Sequence, residues 1–170
     1  FESLGYQVVL SDVTSQKTVE RALELFSAET CYPIKLVYGH VANLLDKQLD
    51  VIFLPSLIKV AGEVGGIDRE AYVCPYVQNA GSSIAARFDF ASAGIKLITT
   101  VVNFSEDAEK MDRSLRDLAD RLNLSDRQLR RGIRQGLDAF KRLRQSQADE
   151  GRRALEELAG GAPQGEYILA

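Results

Sequence analysis

Short apolar runs alternate with stretches of helical periodicity along this chain. Gln7 to Leu10 is a brief β-branched and aliphatic run between Gly5 and Ser11-Asp12, the pattern of a buried strand. From about Gln16 to Ala28, Val19, Ala22, Leu23 and Phe26 recur at helical spacing and predict one apolar helix face. Pro33 then stands where a first helical residue would, and its missing N–H costs nothing there. Ile34, Val37, Tyr38, Val41, Leu44 and Leu45 describe a second amphipathic helix. Val51-Ile52-Phe53-Leu54, ended by Pro55, reads as a strand buried on both faces.

The stretch that follows, with Gly62, Gly65 and Gly66, reads as irregular, and a helix is expected from Gln78 to about Ala93. Ile95 to Val102 is a third strand. Ser105, with Glu106 and Asp107 behind it, starts a helix to about Leu122, because acids suit the positive end of the helix dipole. Ser125 and Gln128 form a capping box that opens a long helix toward Leu158, with Leu129, Ile133, Leu137, Phe140 and Leu143 as its stripe. This alternation predicts an α/β fold: three α/β/α layers around a mostly parallel sheet, with a long helical segment near the C-terminus. The expected division is an α/β domain over 1–104, a helical hairpin or insertion over 105–160, and the start of a further strand over 161–170. With Phe1 opening directly toward a strand and Tyr167-Ile168-Leu169-Ala170 closing on one, the chain reads as an internal piece of a larger protein.

Composition narrows the picture only in part. With 170 residues, 45% hydrophobic and 26% charged, the chain has the make-up of a soluble globular protein. No apolar run approaches the ~20 residues that cross a bilayer, so no membrane partner is expected. The net charge of -3 gives no global pull toward nucleic acid. The helical segment from Ser105 to Leu158 holds 13 Lys and Arg against 12 Asp and Glu, which favours a solvated, ion-paired surface over a nucleic-acid surface. Two cysteines make no disulfide framework and fit a reducing cytoplasm.

The candidate chemistry gathers in two runs, Cys31-Tyr32-Pro33-Ile34-Lys35 with Gly39-His40, and Cys74-Pro75-Tyr76-Val77-Gln78. A cysteine just before a helix feels unpaired N–H groups that favour the thiolate, the form a metal or cluster binds. The opposing reading is a buried structural cysteine. His40 follows Cys31 by nine residues, roughly 13 Å along a helix axis, so it belongs to helix packing or hydrogen bonding rather than to a shared metal. Gly39 inside a helix marks close approach of another element, since glycine there otherwise costs about 1 kcal/mol. No G-x-x-x-x-G-K-[ST] loop, G-x-G-x-x-G turn, G-x-S-x-G elbow or H-E-x-x-H pair is present.

Taken in order, Leu4-Gly5-Tyr6-Gln7-Val8-Val9-Leu10-Ser11, Cys31-Tyr32-Pro33-Ile34-Lys35 with Gly39-His40, Val51 to Pro55, and Cys74 to Gln78 resemble the acyl-CoA dehydratase activase-related family. These proteins are associated with, or fused to, the ATP-dependent activator of 2-hydroxyacyl-CoA dehydratases. The resemblance covers about Leu4 to Val102. It implies stacked α/β lobes and cysteines holding a [4Fe-4S] cluster, with Cys31 and Cys74 as its ligands and metal-binding residues. It also implies electron transfer, driven by ATP, toward a 2-hydroxyacyl-CoA dehydratase or similar CoA-ester enzyme. The implied partners are other domains of the parent protein, the activator ATPase or dehydratase subunits. Pro33, Lys35, His40 and Gln78 match motif positions to which no role is assigned. Two cysteines cannot fill the four ligand positions of an ordinary cluster, so others must come from elsewhere or the site is not a cluster.

A different class of function stands beside this one: a non-catalytic α/β interaction module whose helices dock partner subunits. That reading expects cysteines that are buried and far apart, and an apolar patch exposed on the helices from Ser105 onward.

Overall fold

The computed structural model describes residues 1–25, 30–64, 67–105 and 107–160. The fold is α/β. In chain order it runs α1 (Gln16–Leu25), α2 (Tyr32–Leu45), β1 (Val51–Phe53), β2 (Ser56–Val64), β3 (Ile67–Tyr72), α3 (Pro75–Arg87), β4 (Lys96–Ile98), β5 (Val101–Phe104), α4 (Ala108–Ser114), α5 (Arg116–Arg121) and α6 (Asp126–Ala159). Among the described residues two of the three strand pairings are parallel, β1 with β4 and β2 with β5, while β2 and β3 are antiparallel.

The two sheets are one parallel ribbon with a gap. Leu54 N–H donates to Ile98 O at 3.0 Å and Ser56 N–H to Thr100 O at 2.9 Å, so the chain keeps pairing on both sides of Pro55. Proline has no N–H to give, and the ladder loses its regularity there. The expected strand over 95–102 is divided in the same way into β4 and β5. Between the two sides of the ribbon, α3 serves as the crossover that a parallel connection needs.

The sequence missed the β2–β3 hairpin. Its register from Lys59↔Tyr72 to Val64↔Ile67 occupies the stretch expected to be irregular. The β-branched residues Ile58 and Val60 and the Gly65-Gly66 dipeptide were the available signals. Conversely, Gln7–Leu10 is not a strand. A strand exists by pairing, and here the Leu10 carbonyl accepts from Lys47 Nζ at 2.8 Å while Asp12 N–H donates to Asn43 Oδ1 at 2.9 Å. The expected terminal strand at Tyr167 lies outside the described residues.

The core is built where α2 and α3 meet the ribbon. Ile34, Tyr38 and Val41 of α2 pack with Ile52, Ile84, Phe90 and Ile95. Burial raises the Tyr38 hydroxyl above its ordinary titration range, opposed by its hydrogen bond to Ser83. Gly39 sits where α2 crosses α1, as its position in the sequence suggested: a Cβ there would lie 2.3 Å from the Thr18 carbonyl oxygen. Gly81 plays the same part in α3, with Ser56, Leu54 and Thr99 within 3.2 Å of a notional Cβ.

The helix starts follow the capping rules. Ser125 N–H donates to Gln128 Oε1 at 3.0 Å, and Gln128 N–H to Ser125 Oγ at 3.4 Å, which is the capping box that opens α6. In α4 it is Asp107, not Ser105, that caps, accepting from the Glu109 and Lys110 amides at 2.9 Å.

Chain contacts divide the molecule into two units, Phe1–Ile133 and Arg134–Ala170, with α6 contributing to both. Among the described residues no helix is long and apolar enough to cross a membrane.

Surface carboxylates carry a pH dependence. Hydrogen bonds from Arg21 hold Asp46 below the usual carboxylate range, those from Lys47 and Asn43 do so for Asp12, and Arg116 does so for Asp126. A depressed folded pKa stabilises above the unfolded value of about 4, and that stabilisation is lost as pH falls through the folded value. The urea midpoint should therefore be nearly level from pH 7 to 5 and fall below about pH 4. A midpoint that rises on acidification would contradict these pairings.

Candidate functional site

Cys31 and Cys74 stand at equivalent places in the fold. Each is the N-cap of a helix, Cys31 of α2 and Cys74 of α3, with extended backbone (φ -65, ψ 144 and φ -52, ψ 137) and a proline in the first two helical positions. For Cys74, directly before Pro75, the proline itself favours the extended backbone; Cys31, two residues before Pro33, takes it as an N-cap does. Cys31 O accepts from Ile34 and Lys35 amides at 3.1 and 3.3 Å, and Cys74 O accepts from Val77 and Gln78 amides at 2.9 and 3.1 Å. Neither thiol makes a side-chain cap bond. Gln78 braces the second of these starts, where its Nε2 donates to Val73 O at 2.7 Å and holds the end of the hairpin to the first turn of α3.

Both cysteines are free and exposed. That corrects the expectation that an interaction module would bury them, and it leaves them accessible as nucleophiles or labels.

The iron–sulfur reading is overturned by the donor set. Among the described residues, no three His, Cys, Asp or Glu side chains come together in a way that could hold a metal ion. A cluster thiolate needs companions converging on the same iron–sulfur core, and an ordinary [4Fe-4S] cluster takes four. Cys31 and Cys74 instead occupy the starts of two separate helices, with no close thiol pair. The described residues therefore do not fit even a partial [4Fe-4S] ligand set, and the metal-binding and electron-transfer roles expected for Cys31 and Cys74 fall with it.

His40 joins neither cysteine. Its Nε2 lies 3.0 Å from Thr14 Oγ1, so it ties α2 to the segment before α1, the hydrogen-bonding role that the helix geometry predicts. Its Nδ1 is buried without a hydrogen-bond partner.

Two other features carry more potential than the thiols. One is a cavity of about 380 Å³ lined by Lys59, Asn103, Phe104, Ser105, Lys110, Arg113 and Ser114. Sequence reasoning did not find it because its cations come from β2 and α4, some fifty residues apart along the chain; only the Lys110/Arg113 spacing of i,i+3 hinted at a shared face. The other is the apolar stripe of α6. Leu129 and Ile133 are buried, but farther along Leu143, Leu155 and Leu158 are 55%, 67% and 58% exposed. At 100° per residue these three exposed leucines fall within an arc of about 120°.

By its fold the chain is an α/β domain with exposed helix faces. More particularly, the chain belongs to the CoA enzyme activase-related family: residues 1–170 match the family model described as "CoA enzyme activase uncharacterised domain (DUF2229)". No curated protein and no solved structure matches the chain.

Proposed function

We propose that this chain is a non-catalytic interaction module of a CoA-enzyme activase system, docking neighbouring domains or subunits through the exposed face of α6. The observation that carries the reading is the run of exposed leucines, Leu143, Leu155 and Leu158, on one helix face. The family supplies the setting: activator ATPase and dehydratase-type subunits are the partners it suggests. Free, exposed thiols suit a reducing compartment such as the cytoplasm.

Charge along α6 supports a docking role. Arg134, Lys141, Arg142 and Arg144 with Asp138 leave one stretch net +3, and Asp149, Glu150, Glu156 and Glu157 with Arg152 and Arg153 leave the next net -2. Acids near a helix C-terminus oppose the macrodipole, so this order does not serve the stability of the isolated helix. It suits a partner helix of the opposite charge order, which would fix direction while leucines supply contact area.

The double variant Leu155→Asp/Leu158→Asp should keep its far-ultraviolet circular dichroism and lose at least tenfold in affinity for activator ATPase or dehydratase subunits. Sedimentation or calorimetric titration of purified components would read this. Equal binding by wild type and variant would remove the assignment to this face.

A further inference from the structure

The outer part of α6 stands in water on every side. From Lys141 to Ala159 each residue but Asp149 is exposed, the leucines included. A lone helix is marginal in water, and most helical stability in proteins comes from packing an amphipathic face. The face of Leu143, Leu155 and Leu158 is therefore one that a second element would stabilise.

Small residues are spaced along the same face. Gly136 and Gly151 fall inside the arc of the three exposed leucines, and Ala139 lies beside it. A Cβ added at either glycine would meet nothing within 4 Å, so no close approach within the chain calls for glycine there. Glycine inside a helix otherwise costs about 1 kcal/mol. Bare backbone at these points leaves room for side chains from outside.

A second copy of α6 supplies side chains that fit. Laid antiparallel with Gln147 on the two-fold axis, it sets Leu143 against Gly151, Leu158 against Gly136 and Leu155 against Ala139, and the reverse by symmetry. One register thus gives every exposed leucine a small residue to pack on. Large against small across facing positions is how helices interdigitate, and a two-fold pairing uses the same patch on both copies. A parallel copy in register would instead set leucine against leucine and glycine against glycine.

Charge selects the same direction. Glu150 and Arg142 both lie beyond the Leu143 edge of the stripe, the flank that an antiparallel two-fold brings against itself. In this register they stand about 3 Å apart along the axis, within reach of an ion pair between copies. Among the described residues neither is ion-paired within the chain. The opposite flank is basic, but Arg144 and Arg152 there already have partners, Asp149 in the case of Arg152.

We infer that the exposed face of α6 pairs with α6 of a second copy of this chain, antiparallel about Gln147. This rests on the reading of α6 as a docking face and names its occupant. Sedimentation equilibrium of the 170-residue chain at submillimolar concentration should give twice the monomer mass of 18.8 kDa. Gly151→Leu should raise the helical circular dichroism, since leucine is the better helix former, yet weaken the dimer at least tenfold. Arg142→Glu should weaken it about fivefold, the scale of an exposed ion pair, and Arg142→Glu/Glu150→Lys should restore it. The inference is overturned if the wild type stays at monomer mass, if Gly151→Leu dimerises as tightly, or if the double charge reversal binds no better than Arg142→Glu. A monomer that loses subunit binding through Leu155→Asp/Leu158→Asp would refute self-pairing and keep the docking face. A dimer whose subunit affinity ignores those two changes would keep self-pairing and remove the subunit reading.

Discussion

Gly39→Ala should destabilise the protein, against the ordinary preference of helices for alanine. Propensity alone favours alanine by about 1 kcal/mol in a helix interior. Here the new methyl would stand 2.3 Å from the Thr18 carbonyl oxygen, with Ala22 Cβ at 3.1 Å and Thr18 Cγ2 at 3.2 Å. The Thr18 oxygen is backbone of α1 and cannot swing aside, so α1 must withdraw from α2 as a body. Its retreat would also strain the Arg21–Asp46 ion pair between α1 and the C-cap of α2. Overpacking of this kind costs about 1–3 kcal/mol, occasionally more, and a contact this short with backbone belongs at the upper end. The loss wins. Gly136→Ala is the matched comparison: nothing lies within 4 Å of its notional Cβ, so propensity acts alone and stability should rise by up to about 1 kcal/mol. Urea denaturation of the two variants measures both effects. Equal or greater stability for Gly39→Ala would mean that α1 and α2 do not approach so closely.

Ile84→Ala should cost more, about 2–5 kcal/mol. Ile84 is 0% exposed and sits in the cluster with Ile34, Tyr38, Val41 and Ile52, where α3 meets α2 and β1. Removing its outer atoms forfeits their transfer free energy and leaves a void that the surrounding helices and strand fill only in part. Domains are stable by about 5–15 kcal/mol, so this one truncation takes a large share. At this chain length each kcal/mol moves the melting temperature by roughly 2–4 °C. Ile84→Val, losing a single methyl, should cost about 0.5–1.5 kcal/mol. Calorimetric scans that place both variants within 1 °C of wild type would exclude Ile84 from the core.

The parts of the fold legible in the sequence are those set by local chemistry. The Ser125–Gln128 capping box, the Pro33 helix start and the close-approach role of Gly39 each depend on a few neighbouring residues. What was not legible depends on pairing across distance. Gln7–Leu10 has strand composition and no strand partner, whereas Ile67–Tyr72, with Asp68, Arg69 and Glu70 in its sequence, pairs with β2 throughout. The candidate site divides in the same way. The two Cys-Pro helix starts were readable because a cap is local, but a ligand set is a tertiary fact, and the sulfurs do not converge. The cation-lined cavity was invisible for the same reason, its parts being brought together only when β2 lies beside β5.

The parallel ribbon interrupted at Pro55 also constrains the order in which the molecule can be made. Residues 51–60 pair with residues 96–104, so during synthesis the first side of the ribbon must wait for some forty further residues. The α1–α2 contact around Gly39 and the β2–β3 hairpin close over short separations and need not wait. Because the entropy of a long loop must be met before its contacts form, assembly begins in these local pairs and ends at the ribbon. Until then Val51-Ile52-Phe53-Leu54 is an apolar strand without a neighbour, and Pro55 at its end serves the nascent chain by denying other strands a continuous edge.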